Sequence, residues 1–94
     1  MNTVRSFERT VHRVEGFKIK IRHARDGRDV RGDFEITATY PYQRRARSEW
    51  SVSEFLTKRL QKHLPGFTVE VIDPSGNHVN GRTRLRNLRA AYEN

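Results

Sequence analysis

Between positions 40 and 50 the chain interleaves flat rings with cations: Tyr40 and Tyr42, then Arg44, Arg45 and Arg47, then Trp50. Guanidinium groups pair with phosphate oxygens, and aromatic faces accept stacked bases, so this alternation suits contact with a nucleic acid. The bland alternative is a solvated loop beside core aromatics. A second basic group, Arg82, Arg84, Arg86 and Arg89, meets no acidic residue before Glu93, so no neighbour in sequence neutralises it. Lys58, Arg59 and Lys62 make a third positive ridge, which an ordinary charged surface helix would also produce.

Other chemistry finds little support in the sequence. Four histidines (His12, His23, His63, His78) are scattered without an i, i+4 pair or an accompanying carboxylate cluster, which argues against a metal site. There is no cysteine nucleophile, no Gly-x-Ser-x-Gly elbow, no phosphate-binding P-loop and no dinucleotide fingerprint. Arg31-Gly32-Asp33 spells an adhesion tripeptide but runs into a strand pattern, and Asp73-Pro74-Ser75-Gly76-Asn77 lacks the repeated acids of a calcium loop. The expectation is a non-enzymatic binding module without cofactor or metal.

The charge balance points the same way. Nineteen Lys and Arg against eleven Asp and Glu leave a net charge of +8, and all the lysines are Lys18, Lys20, Lys58 and Lys62, so Arg dominates. Arg presents a rigid fork to oxyanions where Lys presents a hydrated point charge, which favours specific anion contacts; GC-rich coding would produce the same bias. The expected partner is nucleic acid, or else an acidic protein surface met by an adaptor or small inhibitor, because one guanidinium fork satisfies phosphate and carboxylate alike. No apolar run approaches the roughly 20 residues of a membrane span, and residues 1–16 carry charges throughout, unlike a signal peptide. With no cysteine to suggest an oxidising compartment, a cytoplasmic location and no membrane partner are expected.

These residues need a scaffold, and 94 residues supply one α+β domain. In Phe17 to Arg22, Phe17, Ile19 and Ile21 alternate with Lys18, Lys20 and Arg22; in Asp33 to Tyr40, Phe34, Ile36, Ala38 and Tyr40 alternate with polar residues. Paired as a hairpin about Gly27 and Arg28, they put Ile21 opposite Phe34, Ile19 opposite Ile36, Arg22 opposite Asp33 and Lys20 opposite Glu35. Ser51 and Glu54 form a capping box ahead of a helix whose stripe is Val52, Phe55, Leu56, Leu60 and Leu64, stopped by Pro65-Gly66. Phe67, Val69 and Val71 alternate as a further strand, ending at the turn of residues 73–76. His78 to Gly81 fits a short strand or a loop. Thr83 reads as the cap of a last helix with Leu85, Leu88 and Tyr92 on one face, although Arg84 and Arg86 oppose the dipole there. Residues 1–15 have the weakest pattern, with Thr10 to Val14 suited to one more strand.

The order hairpin, helix, strand, glycine turn, short strand and final helical turn resembles the ubiquitin-like β-grasp fold over residues 16–92. The stretch that carries the resemblance is FTVEVIDPSGNHVNGRTRLRNL, from Phe67 to Leu88, with Gly81, Thr83 and Leu85 as its best points. It implies a mixed sheet packed on one main helix. The carboxyl end, Tyr92-Glu93-Asn94, departs from the Gly-Gly tail of a conjugated modifier, so the resemblance implies no tagging role. The architecture hosts adaptors, RNA binders, enzymes and inhibitors, and does not choose among them.

Overall fold

The computed structural model describes residues 2–93, in which three helices and four short strands close around one core. Where the sequence suits a strand over Thr10 to Val14, the chain instead forms helix α1 (Val4–Glu15), entered from the two-residue strand β1 (Asn2–Thr3). Val4, Phe7, Val11 and Glu15 recur at three- and four-residue intervals and are all buried, so the helical period overrides the β-branched content. Thr3 caps the helix by accepting the Ser6 N–H. Gly16 ends it at φ 87°, a left-handed conformation suited to glycine.

Helix α1 packs on β2 (Lys18–His23), and β2 pairs antiparallel with β4 (Phe67–Ile72), Ile19 opposite Val71 and Ile21 opposite Val69. This pairing replaces the expected hairpin between Phe17–Arg22 and Asp33–Tyr40. Alternation alone does not choose between the two partners, because β4 alternates as regularly. What β4 adds is Glu70, opposite Lys20 and 2.7 Å from Arg22, while Asp29 in the intervening turn takes Lys20 and Arg22 from the other side. The charges of β2 are thereby met without Asp33 or Glu35. Segment 33–40 contributes only β3 (Glu35–Ile36), which pairs with β1, and Phe34 stays 42% exposed instead of facing Ile21. Two separate antiparallel pairs thus stand where the β-grasp resemblance implies one mixed sheet.

The expected helix over Val52 to Leu64 forms, but irregularly. Its first turn, α2 (Val52–Phe55), carries the capping box: Ser51 Oγ accepts the Glu54 N–H, and the Glu54 carboxylate accepts the Ser51 N–H. The chain then widens into a π turn (Leu56–Leu60), with Gln61 N–H reaching back to Leu56 O, and tightens into a 3-10 turn (Gln61–His63). Phe55 and Leu60, both fully buried, account for the widening. Five residues of α-helix rotate through about 500°, which would leave the two side chains about 140° apart; the wider turn brings both to the core.

After β4, the turn closes with Gly76 N–H to Asp73 O, and Val79 returns alongside to donate to Val71 O. Helix α3 (Leu85–Glu93) buries Leu85 and Leu88. Its opening N–H groups are met by the connection before α2: Leu85 donates to Trp50 O and Arg86 to Ser48 O. At its other end the Tyr92 hydroxyl donates to Ile72 O and accepts the Lys18 N–H at 3.2 Å, completing the first rung between β2 and β4. Among the described residues no helix is long and apolar enough to cross a membrane.

Candidate functional site

The connection between β3 and α2 is organised by a residue that reading the sequence passes over. Glu15 ends α1 with no exposed surface. Its Oε1 accepts the Ala46 N–H at 2.9 Å and Arg89 Nη2 at 2.8 Å; its Oε2 accepts Arg59 Nη1 at 2.7 Å and the Tyr40 hydroxyl. Arg89 makes further bonds, from Nε to Glu15 O at 2.7 Å and from Nη1 to Ala46 O at 2.9 Å and Ser48 Oγ at 3.1 Å. Buried ions are tolerated only when their hydrogen-bonding capacity is met, and no buried side-chain nitrogen or oxygen among the described residues lacks a partner. Burial pushes the Tyr40 hydroxyl far above the ordinary phenol range, and its bond to Glu15 pushes the same way. Burial draws the Arg89 guanidinium below its usual value, against the opposing pull of Glu15.

This hub fastens the connection from three directions: Glu15 from α1, Arg59 from the π turn and Arg89 from α3. Inside the connection Ala46 is buried, while Arg44, Arg45 and Arg47 on either side are exposed and make no salt bridge among the described residues. The Arg44 carbonyl accepts Arg59 Nη1 at 2.7 Å, which holds the backbone directly beneath the exposed groups. Arg45 reaches back over Gly16, where a Cβ would come within 2.8 Å of its Nη2. That places a guanidinium at the carboxyl end of α1, the end whose dipole favours a cation.

The rings expected to stack bases are partly covered. Arg59 lies over Tyr42 at 4.3 Å from the ring centroid, with Tyr40 against it edge-on at 5.1 Å. Lys58 lies over Trp50 at 4.6 Å and also approaches Glu54 at 3.5 Å. Each ring therefore already carries a cation from the helix that follows. Of the ridge Lys58, Arg59 and Lys62, Arg59 is turned inward to Glu15, while Lys58 and Lys62 are exposed.

The carboxyl-terminal group divides as well. Arg89, expected at the binding surface, is 5% exposed and belongs to the hub, because the same α3 face that buries Leu85 and Leu88 carries it inward against Glu15. Arg84 donates to Glu49 O at 2.8 Å, and Arg82 and Arg86 are exposed without a salt bridge among the described residues. The contacts of Leu85 and Arg86 with Trp50 and Ser48 bring the start of this run beside the end of the connection, so the two basic groups adjoin. The residues that sequence reasoning missed are Glu15, Ala46, Ser48 and the hydroxyl of Tyr40. One signal for Glu15 exists: it is the last member of the stripe Val4, Phe7, Val11, Glu15, an acid where the period calls for an apolar residue. Among the described residues no three His, Cys, Asp or Glu side chains gather in a way that would hold a metal. No family model matches the chain, and neither does any curated protein or solved structure.

Proposed function

We propose that the protein is a binding module, without catalysis of its own, that engages nucleic acid through phosphate contacts made by Arg44, Arg45 and Arg47. The observation that carries this reading is the pairing of three exposed guanidinium groups, free of salt bridges among the described residues, with a backbone pinned from below by Glu15, Arg59 and Arg89. A fixed backbone lowers the ordering cost of binding, and an unpaired guanidinium can take a phosphate without first leaving a carboxylate. Lys58, Lys62, Arg82 and Arg86 extend the positive surface, consistent with a net charge of +8. Tyr42 and Trp50 act in this reading as supports for Arg59 and Lys58 rather than as open platforms for bases.

The test is the salt dependence of binding to labelled single-stranded and duplex oligonucleotides, followed by fluorescence anisotropy. For phosphate contacts, log affinity falls linearly with log salt with a slope of about 0.7 to 0.9 per contact. Reversing Arg44, Arg45 and Arg47 together to Glu weakens binding at least about tenfold and flattens the slope, with the melting temperature nearly unchanged. Unaltered affinity in that variant removes the connection as the binding site. Failure of both oligonucleotides, with capture of a single nuclease-resistant acidic protein, transfers the same arginines to a protein partner.

A further inference from the structure

On the side of β2 away from β4 lies an edge that the oligonucleotide reading leaves unused. Val71 O accepts from Val79, so Val71 turns its backbone groups away from β2; Ile19, directly opposite, must turn its own groups away from β4. Along this outer edge His23 N–H donates to Arg28 O, Ile21 O accepts the Val30 N–H, and Ile21 N–H goes to the Glu8 carboxylate at 3.2 Å. The N–H and C=O of Ile19 have no partner among the described residues. On this side Ile19, 4% exposed, lines a groove of about 400 Å³ between α1 and β2 together with Ile21 and Val30.

The rim of this groove is basic. Arg5, Arg9 and Lys18 line it and make no salt bridge among the described residues, while Lys20 is held by Asp29. Glu8 opposes them, and burial raises its carboxyl above the usual range although the Ile21 N–H, Lys20 and Arg5 pull it down. An adjacent free N–H and C=O is the complement of one residue of another extended backbone. A phosphodiester has no donor for the Ile19 carbonyl. A second copy of β2 would bring Lys18, Lys20 and Arg22 against like charges, so the occupant must be acidic.

We propose that this groove takes an extended acidic peptide segment, which pairs its backbone with Ile19 and sets its carboxylates against Arg5, Arg9 and Lys18. Its surface is separate from the connection of Arg44, Arg45 and Arg47. The probe is a blocked pentapeptide, Glu-Val-Glu-Val-Glu, titrated into the full chain labelled for amide NMR. Saturable shifts centred on Ile19 and Lys20 are expected, with slowed hydrogen exchange at the Ile19 N–H. Arg9→Glu, on the exposed side of α1, weakens binding about tenfold, and Glu8→Gln, which keeps an acceptor for Ile21, tightens it about threefold. The triple reversal of Arg44, Arg45 and Arg47 leaves peptide binding unchanged, which separates this site from the proposed oligonucleotide face. Three results would overturn the proposal: no saturable shift at Ile19 with millimolar peptide, equal binding by a peptide N-methylated at its central residue, or reproduction of the same shifts by inorganic phosphate.

Discussion

The two arginine-rich stretches of this chain look interchangeable in sequence and are used in opposite ways. Between Arg44 and Arg47 only Ala46 is buried, and Arg44, Arg45 and Arg47 are all exposed. In the carboxyl-terminal run Arg89 is drawn inside, while Arg82, Arg84 and Arg86 are exposed, Arg84 donating to the Glu49 carbonyl. The helix makes the difference. Leu85, Leu88 and Arg89 share one face of α3, and a cation carried inward by that face needs a carboxylate waiting; Glu15 supplies it from the far end of α1. Counting cations therefore overstates the surface charge of the second stretch and not that of the first.

If this division is correct, Arg89→Ala removes one partner of a buried ion pair and costs about 3 to 5 kcal/mol in chemical denaturation. Arg86→Ala, three residues away, stays within about 0.5 kcal/mol. Equal losses at both positions would erase the distinction between the inner and outer cations. Tyr42→Ala comes next, at about 1 to 2 kcal/mol, because it uncovers Arg59 and removes an edge contact with Tyr40; a loss in oligonucleotide affinity without loss of stability would instead restore Tyr42 as a stacking platform.

A smaller effect separates the sheet from the hub. The Arg22 hydrogen bond, ahead of His78, holds the Glu70 carboxyl below its ordinary value of 4.5. The folded state therefore favours ionised Glu70. The stability so contributed is complete above about pH 4.5 and is lost as the pH falls through the lower folded value. Denaturation midpoints taken through that window should decline less steeply in Glu70→Gln than in the parent chain. An identical acid limb would mean that the Arg22–Glu70 pair adds nothing measurable to the fold. Smallest of all is the triple reversal of Arg44, Arg45 and Arg47, expected to leave the melting temperature almost unmoved because those side chains hold no salt bridge among the described residues.

What could be read from the sequence follows how local each signal is. The capping box of Ser51 and Glu54, the turn of residues 73–76 and the strand Phe67–Ile72 rest on neighbours a few residues apart, and the structure has all three. The partner of β2 depends on a comparison across the chain, between segment 33–40 and β4; both satisfy the same alternation, and each places an acid opposite Lys20. In the structure Asp29 and Glu70 meet Arg22 together, a three-body arrangement that pairwise matching does not contain. Helix α1 was hidden because its stripe ends in an acid, and without α1 there was no place for Glu15 and no reason to send Arg89 inward. The exposed arginines of the connection were the most readable part of the candidate site, since exposed side chains that hold no salt bridge among the described residues are governed by little beyond their own chemistry.

The bonds from Arg89 to Glu15 and from Tyr92 to Lys18 each join positions 74 residues apart. A growing chain emerges from its amino end at about 5 to 20 residues per second. α1 and β2 are therefore in solution for several seconds before the groups that complete them exist. During that interval Glu15 remains a solvated carboxylate and the first rung of the sheet stays open, so the domain cannot reach its final state until the last turn of α3 has been released. Folding is in this sense governed by the arrival of α3, and a ribosome pause before residue 89 would lengthen the time for which the apolar stripe of α1 stands uncovered.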